Sequence, residues 1–130
     1  MIIYKDNKLM IVENKYGTGA ISGQAGLSKH YQDISRIISN EDTYNELCQS
    51  MIHISQIKYK LGLRDYFITS EDIKHIEILF LFANYNLKSK SIFNELLLID
   101  KKIPVKFLFM SKTDSIIDYN QIKDISEYEH

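Results

Sequence analysis

An apolar run, Leu9-Met10-Ile11-Val12, ends in Glu13-Asn14-Lys15 and then in a glycine-rich turn. Side chains alternate faces along a strand, so Glu13 and Lys15 are expected to point one way and Asn14 the other. A carboxylate beside an ammonium at a strand end can hold a divalent cation and position the water that attacks a phosphodiester. A surface ion pair on a strand that happens to stop there is the plain alternative.

Two further groups of residues suit a phosphate backbone. Lys58-Tyr59-Lys60, with Arg64 and Tyr66 just after, joins bases to aromatics, although a solvated helix face explains them equally well. Asn84-Tyr85-Asn86-Leu87-Lys88-Ser89-Lys90 follows an apolar run, at the carboxyl end where open α/β sheets bind ligands. The histidines, His30, His53, His75 and His130, share no short metal-ligand spacing, and neither HExxH nor a Cys-His cluster occurs, which argues against a zinc hydrolase. No serine lies in a G-x-S-x-G elbow. The stretch Tyr16–Gly26 holds four glycines but lacks the closing Lys-Ser or Lys-Thr of a P-loop. It serves as a flap beside a site or as a plain connection.

The elements that must position these residues are legible from periodicity. Residues 2–5 and 8–14 read as a tight hairpin turned by Asp6 and Asn7, which makes Asp6 a turn residue before it is a ligand. From Leu27 the period becomes helical, with Leu27, Tyr31, Ile34 and Ile38 on one face. Ser39-Asn40-Glu41-Asp42 breaks and restarts the pattern, and Tyr44, Leu47, Cys48, Met51 and Ile54 carry a second helix over about 43–61, with Gly62 as its stop. Residues 63–70 read as an ordered loop with Tyr66, Phe67 and Ile68 against the body. Residues 76–83 are apolar on both faces, which predicts a central strand covered by helices on both sides. Ser91 is a candidate cap for a helix with the apolar stripe Ile92, Phe93, Leu96 and Leu97. Pro104 introduces a strand from Val105 to Met110, and 76–110 has the length of a crossover between parallel neighbours. Tyr119, Ile122, Ile125 and Tyr128 suggest a short closing helix. The expected fold is α/β (mixed α+β), a central mixed sheet of about four strands flanked by helices.

The chain has 130 residues, 45% apolar and 25% charged, which suits one domain with a proper core, and no linker or repeat divides it. The formal net charge of -1 argues against strong autonomous nucleic-acid binding, but not against an enzyme whose bases gather on one face. Cys48 is the lone cysteine, so no intrachain disulfide forms, and it reads as a small core residue. Tyr44, Phe80, Phe93, Phe107 and Phe109 sit at core periodicity and read as packing. No signal peptide or membrane span is visible, so the expectation is a cytoplasmic protein without a membrane partner.

Val12-Glu13-Asn14-Lys15, followed by Gln24 and then by Lys29-His30-Tyr31, resembles the restriction-endonuclease-like, PD-(D/E)xK nuclease superfamily. The match is closest to prokaryotic members with Ile-Glu-Asn-Lys, then a glutamine, then a tyrosine on the next helix. The resemblance covers residues 1–35 by motif and the rest by element order. It implies a restriction-endonuclease-like core and a Mg2+- or Mn2+-dependent deoxyribonuclease, of the kind found in defence or mobile-element biology. Glu13 would ligate the metal, with the Asn14 carbonyl as a second ligand. Lys15 would orient the water or stabilise phosphate charge, Gln24 would lie near the site, and Lys29, His30 and Tyr31, with Lys58 and Lys60, would contact the nucleic acid.

Family members also place an aspartate on the strand before Glu-x-Lys. Here the chain opens with Met1-Ile2-Ile3-Tyr4 where that strand should lie, and Asp6 falls in the turn. Three accounts fit: a domain incomplete at its N-terminus, a shortened homologue without activity that binds protein or nucleic acid, or an enzyme borrowing a carboxylate from Asp6, Asp33 or a partner. An exposed sheet edge is expected in each case, covered by a homodimer mate or a partner protein.

Overall fold

The computed structural model describes residues 1–17, 21–85, 90–111, 114 and 116–128. The order is β1 (Ile2–Lys5), β2 (Lys8–Tyr16), α1 (Leu27–Ser39), α2 (Glu41–Lys60), β3 (His75–Ala83), α3 (Ser91–Leu96), β4 (Val105–Met110) and β5 (Lys123–Asp124). Their sheet runs β1-β2-β3-β4-β5. The first and last pairings are antiparallel, whereas β2, β3 and β4 run parallel. The architecture is therefore mixed α/β, with one two-residue strand more than the four expected.

Local chemistry accounts for the element ends. Asp6 and Asn7 both take positive φ, 51° and 63°, which is the geometry of a two-residue turn that matches strand twist. Asn40 ends α1 and caps α2, its side chain accepting from the Thr43 N–H at 3.0 Å. At the far end of α2, Gly62 adopts φ +71° and its N–H bonds the Tyr59 carbonyl, while the Leu63 N–H bonds Lys58. That pair of bonds is a Schellman closure, which needs the left-handed residue that glycine supplies.

Packing departs from expectation in its layers. Register puts Leu9, Ile11, Glu13 and Lys15 on the same face as Ile76, Ile78, Phe80 and Phe82. That face meets Leu27 and Tyr31 of α1, Ile92 and Leu96 of α3, and Tyr44, Cys48 and Met51 of α2. Among the described residues all three helices thus lie on one side. The other side of β3 is apolar too, but Met10, Val12, Leu79 and Leu108 are covered by Ile117 and Ile122 from the irregular C-terminal segment. A strand apolar on both faces needs two covering layers, and here one of them is not helical. Phe80, Phe82, Phe107 and Phe109 stack across β3 and β4, with ring centroids 5.0 Å apart for Phe82 and Phe109.

Four smaller expectations are corrected. Ser91 is the first helical residue, and Lys90 occupies the cap position. The buried stripe of α3 is Ile92, Glu95 and Leu96, while Phe93 and Leu97 are exposed. Of the three loop residues expected against the body only Ile68 is buried; Tyr66 and Phe67 are exposed, Phe67 standing edge-on to Tyr59 at 5.2 Å. The closing segment is two 3₁₀ turns, Tyr119–Gln121 and Ile125–Tyr128, flanking β5, in keeping with a threefold spacing. No helix among the described residues is long and apolar enough to cross a membrane.

Candidate functional site

Glu13 and Lys15 do lie side by side on the helix-covered face, near the carboxyl end of β2, with Asn14 exposed on the other face. The Lys15 ammonium is 3.6 Å from a Glu13 carboxylate oxygen. Their neighbours on β3 are Phe80 and Phe82, and the first turn of α1 passes nearby. Lys15 is only 3% exposed. Desolvation pushes its pKa below the ordinary lysine value, and the Glu13 carboxylate, through charge and a hydrogen bond, opposes that shift. Glu13 is the wetter partner, at 30% side-chain exposure, so solvent or a ligand reaches the pair through the carboxylate.

The same carboxylate oxygen lies 3.5 Å from His30 Nε2, on the first turn of α1. Lys29 points instead to Asp33, at 2.9 Å, and Arg36 reaches the same Asp33 oxygen at 3.5 Å. Asp33 is therefore engaged along its own helix, and Lys29 and Arg36 hold its carboxyl below the usual range. Asp6 sits in the hairpin turn, beyond the far end of β2; Lys8 to Glu13 alone spans about 16 Å at about 3.3 Å per residue. Neither aspartate supplies a second carboxylate to Glu13.

Register explains why β1 supplies none either. Ile2 pairs with Ile11, and the Val12 N–H bonds the Met1 carbonyl at 2.8 Å, so among the described residues of β1 none faces Glu13. Among the described residues no group of three His, Cys, Asp or Glu side chains can hold a metal ion. A hard divalent cation asks for six or more oxygens. Glu13 and exposed main chain do not fit that demand, and no hydrolytic step follows from them alone.

Three residues expected to touch nucleic acid lie elsewhere. Tyr31 is 1% exposed; its hydroxyl donates to Asp100 at 2.5 Å and accepts from the Ile103 N–H at 3.1 Å. It braces α1 against the segment before β4 and is closed to a ligand. Lys58 and Lys60 are exposed at the end of α2, and Lys58 shares a groove with Tyr4, Lys5 and Asp6 at the opposite end of β2 from Glu13. Gln24 is exposed in the 3₁₀ turn before α1. His53 and His75 are exposed, His75 lying 3.5 Å from buried Glu77. Residues 86–89 and His130 lie outside the described residues.

The residue that sequence reasoning missed is Glu95. Its carboxylate accepts from both the N–H and the hydroxyl of Ser28, at 3.1 and 2.6 Å, and acts electrostatically on Lys15. The signal was present: Glu95 falls between Ile92 and Leu96 on the apolar stripe of α3, where an acid needs a buried partner. The outcome is a cluster in which the Lys15 ammonium is acted on by two carboxylates, Glu13 and Glu95, beneath the start of α1. Comparison with protein families, with curated proteins and with solved structures finds no match to this chain.

Proposed function

We propose that this chain is a nuclease-type α/β module whose Glu13–Lys15 pair addresses a nucleic-acid phosphodiester, DNA being the expected substrate. Hydrolysis then depends on a second carboxylate brought to Glu13 from beyond the described residues. The supporting observation is the burial of Lys15 beside the wetter Glu13. Taking an ammonium out of water costs several kcal/mol, and an apolar side chain next to Phe82 would avoid that cost. A lysine kept there suits chemistry better than packing. Magnesium or manganese is the cation class such a site uses, and would polarise a phosphoryl oxygen once a fuller ligand set is present.

The second reading is a nuclease-like module without activity that works by binding. It is favoured by the engagement of Glu13 with both Lys15 and His30.

Plasmid and single-stranded DNA, incubated with the chain in magnesium or manganese, separate the two. The nuclease reading expects cleavage that disappears in Glu13→Ala and Lys15→Ala while both stay folded. If the chain alone is silent, a variant extended before Met1 so that an aspartate faces Glu13 is expected to gain cleavage. Silence of that variant, with no heat of metal binding in calorimetry, leaves the binding reading.

A further inference from the structure

Among the described residues strand β1 has a single neighbour in the sheet, β2, which leaves its outer side as an open edge. The register says which groups that edge offers. Lys5 pairs with Lys8 across a two-residue turn, which makes Lys5, Ile3 and Met1 the residues that exchange bonds with β2. The N–H and C=O groups of Ile2 and Tyr4 therefore point away from the sheet. Beside them runs a groove of about 650 Å3 between β1 and the second half of α2. Its apolar lining includes Ile2, Met51, Ile54 and Ile68, and its polar lining includes Lys58 and Arg64.

Two properties select an occupant. An open edge of alternating donors and acceptors matches another polypeptide backbone, whereas a phosphodiester chain has no such alternation. The charge at the groove is unbalanced: Lys5 pairs with Asp6 at 3.7 Å, but Lys58 and Arg64 are exposed without an ion-pair partner among the described residues. A second copy of β1, Ile-Ile-Tyr-Lys, would bring another lysine to this basic rim. We propose that the β1 edge receives an extended acidic segment of a partner protein, added as a further strand. The alternate side chains of that segment that face α2 enter the groove, apolar ones against Ile2, Met51 and Ile54 and acidic ones against Lys58 and Arg64 of the same lining.

The test uses a labelled peptide of about eight residues whose groove-facing alternate positions carry isoleucine, valine and two glutamates with threonine between them, a lysine-for-glutamate version, and a thymidine oligonucleotide. The acidic peptide is expected to bind and to slow hydrogen exchange at the Ile2 and Tyr4 amides. Binding should weaken about tenfold in Lys58→Glu/Arg64→Glu, whose exposed positions leave the fold intact. Four results would overturn the proposal: no binding of the acidic peptide, binding without protection of those two amides, equal binding of the lysine peptide, or protection by the oligonucleotide instead. Concentration-dependent dimers that protect the same amides without peptide would assign the edge to a second copy and overturn it as well.

Discussion

The carboxylate of Glu95, on α3, supplies the cap that α1 cannot supply for itself. Gly26 holds the N-cap position and has no side chain, and Glu95 bonds both the N–H and the hydroxyl of Ser28 in the first turn. A negative group there also suits the helix dipole. Removing it in Glu95→Ala is expected to cost about 1–2 kcal/mol, the range for a lost cap. Glu95→Gln keeps an acceptor and should lose less. Urea unfolding of the three proteins checks this, and an alanine variant as stable as wild type would refute the capping role.

Tyr31 and Asp100 predict two pH limbs. The Tyr31 bond holds the Asp100 carboxyl below its ordinary 3.8, so this contribution is present above 3.8 and is lost as pH falls from there through the folded value. Burial, with Asp100 adding to it, raises the Tyr31 phenol above 10.0; that contribution is complete below 10.0 and is lost as pH rises through the folded value. Tyr31→Phe should flatten both limbs in a stability–pH profile, and should cost about 1–3 kcal/mol by stranding the Ile103 N–H.

Lys15 predicts the reverse alkaline slope. Burial lowers its pKa from 10.5, so the unfolded chain binds the proton more tightly than the folded one between the two values. Stability contributed through this group therefore rises with pH across the window ending at 10.5. The difference in stability between wild type and Lys15→Met, followed by denaturant titration from neutral pH upward, should show that rise. A flat difference would mean that the ammonium is not desolvated.

Gly26 predicts a steric penalty rather than a conformational one. Its φ is -73°, open to any residue, but a Cβ would lie 2.8 Å from the Gly23 carbonyl oxygen and 2.8 Å from the Ser22 carbonyl carbon. Both are backbone atoms that cannot rotate aside. Gly26→Ala is expected to destabilise by about 1–3 kcal/mol, as overpacking does. Gly62→Ala should cost about 1 kcal/mol through its positive φ alone, since nothing lies within 4 Å of the added carbon. Thermal melts of the two variants should rank them in that order.

Sequence alone determined what neighbouring residues decide. Asp6-Asn7 turned the hairpin, alternation brought Glu13 and Lys15 to one face, the apolar period placed α1 at Leu27–Ser39, and Gly62 closed α2, because strand alternation, helical repeat and turn conformation act within a few residues. The centrality of β3 was equally plain from a run that water would tolerate on neither face. Only the tertiary structure decided the rest. All three described helices share one face because the far side of the sheet is claimed by Ile117 and Ile122, residues that no local period marks out. The burial of Lys15, the approach of His30 to Glu13 and the reach of Glu95 to Ser28 join groups from β2, α1 and α3. The separation of Lys58 and Lys60 from that cluster follows from α2 ending beside the hairpin turn. Charge and hydrogen bonding act through space, and separations of up to 69 residues along the chain carry no local signature of which acid will meet which donor.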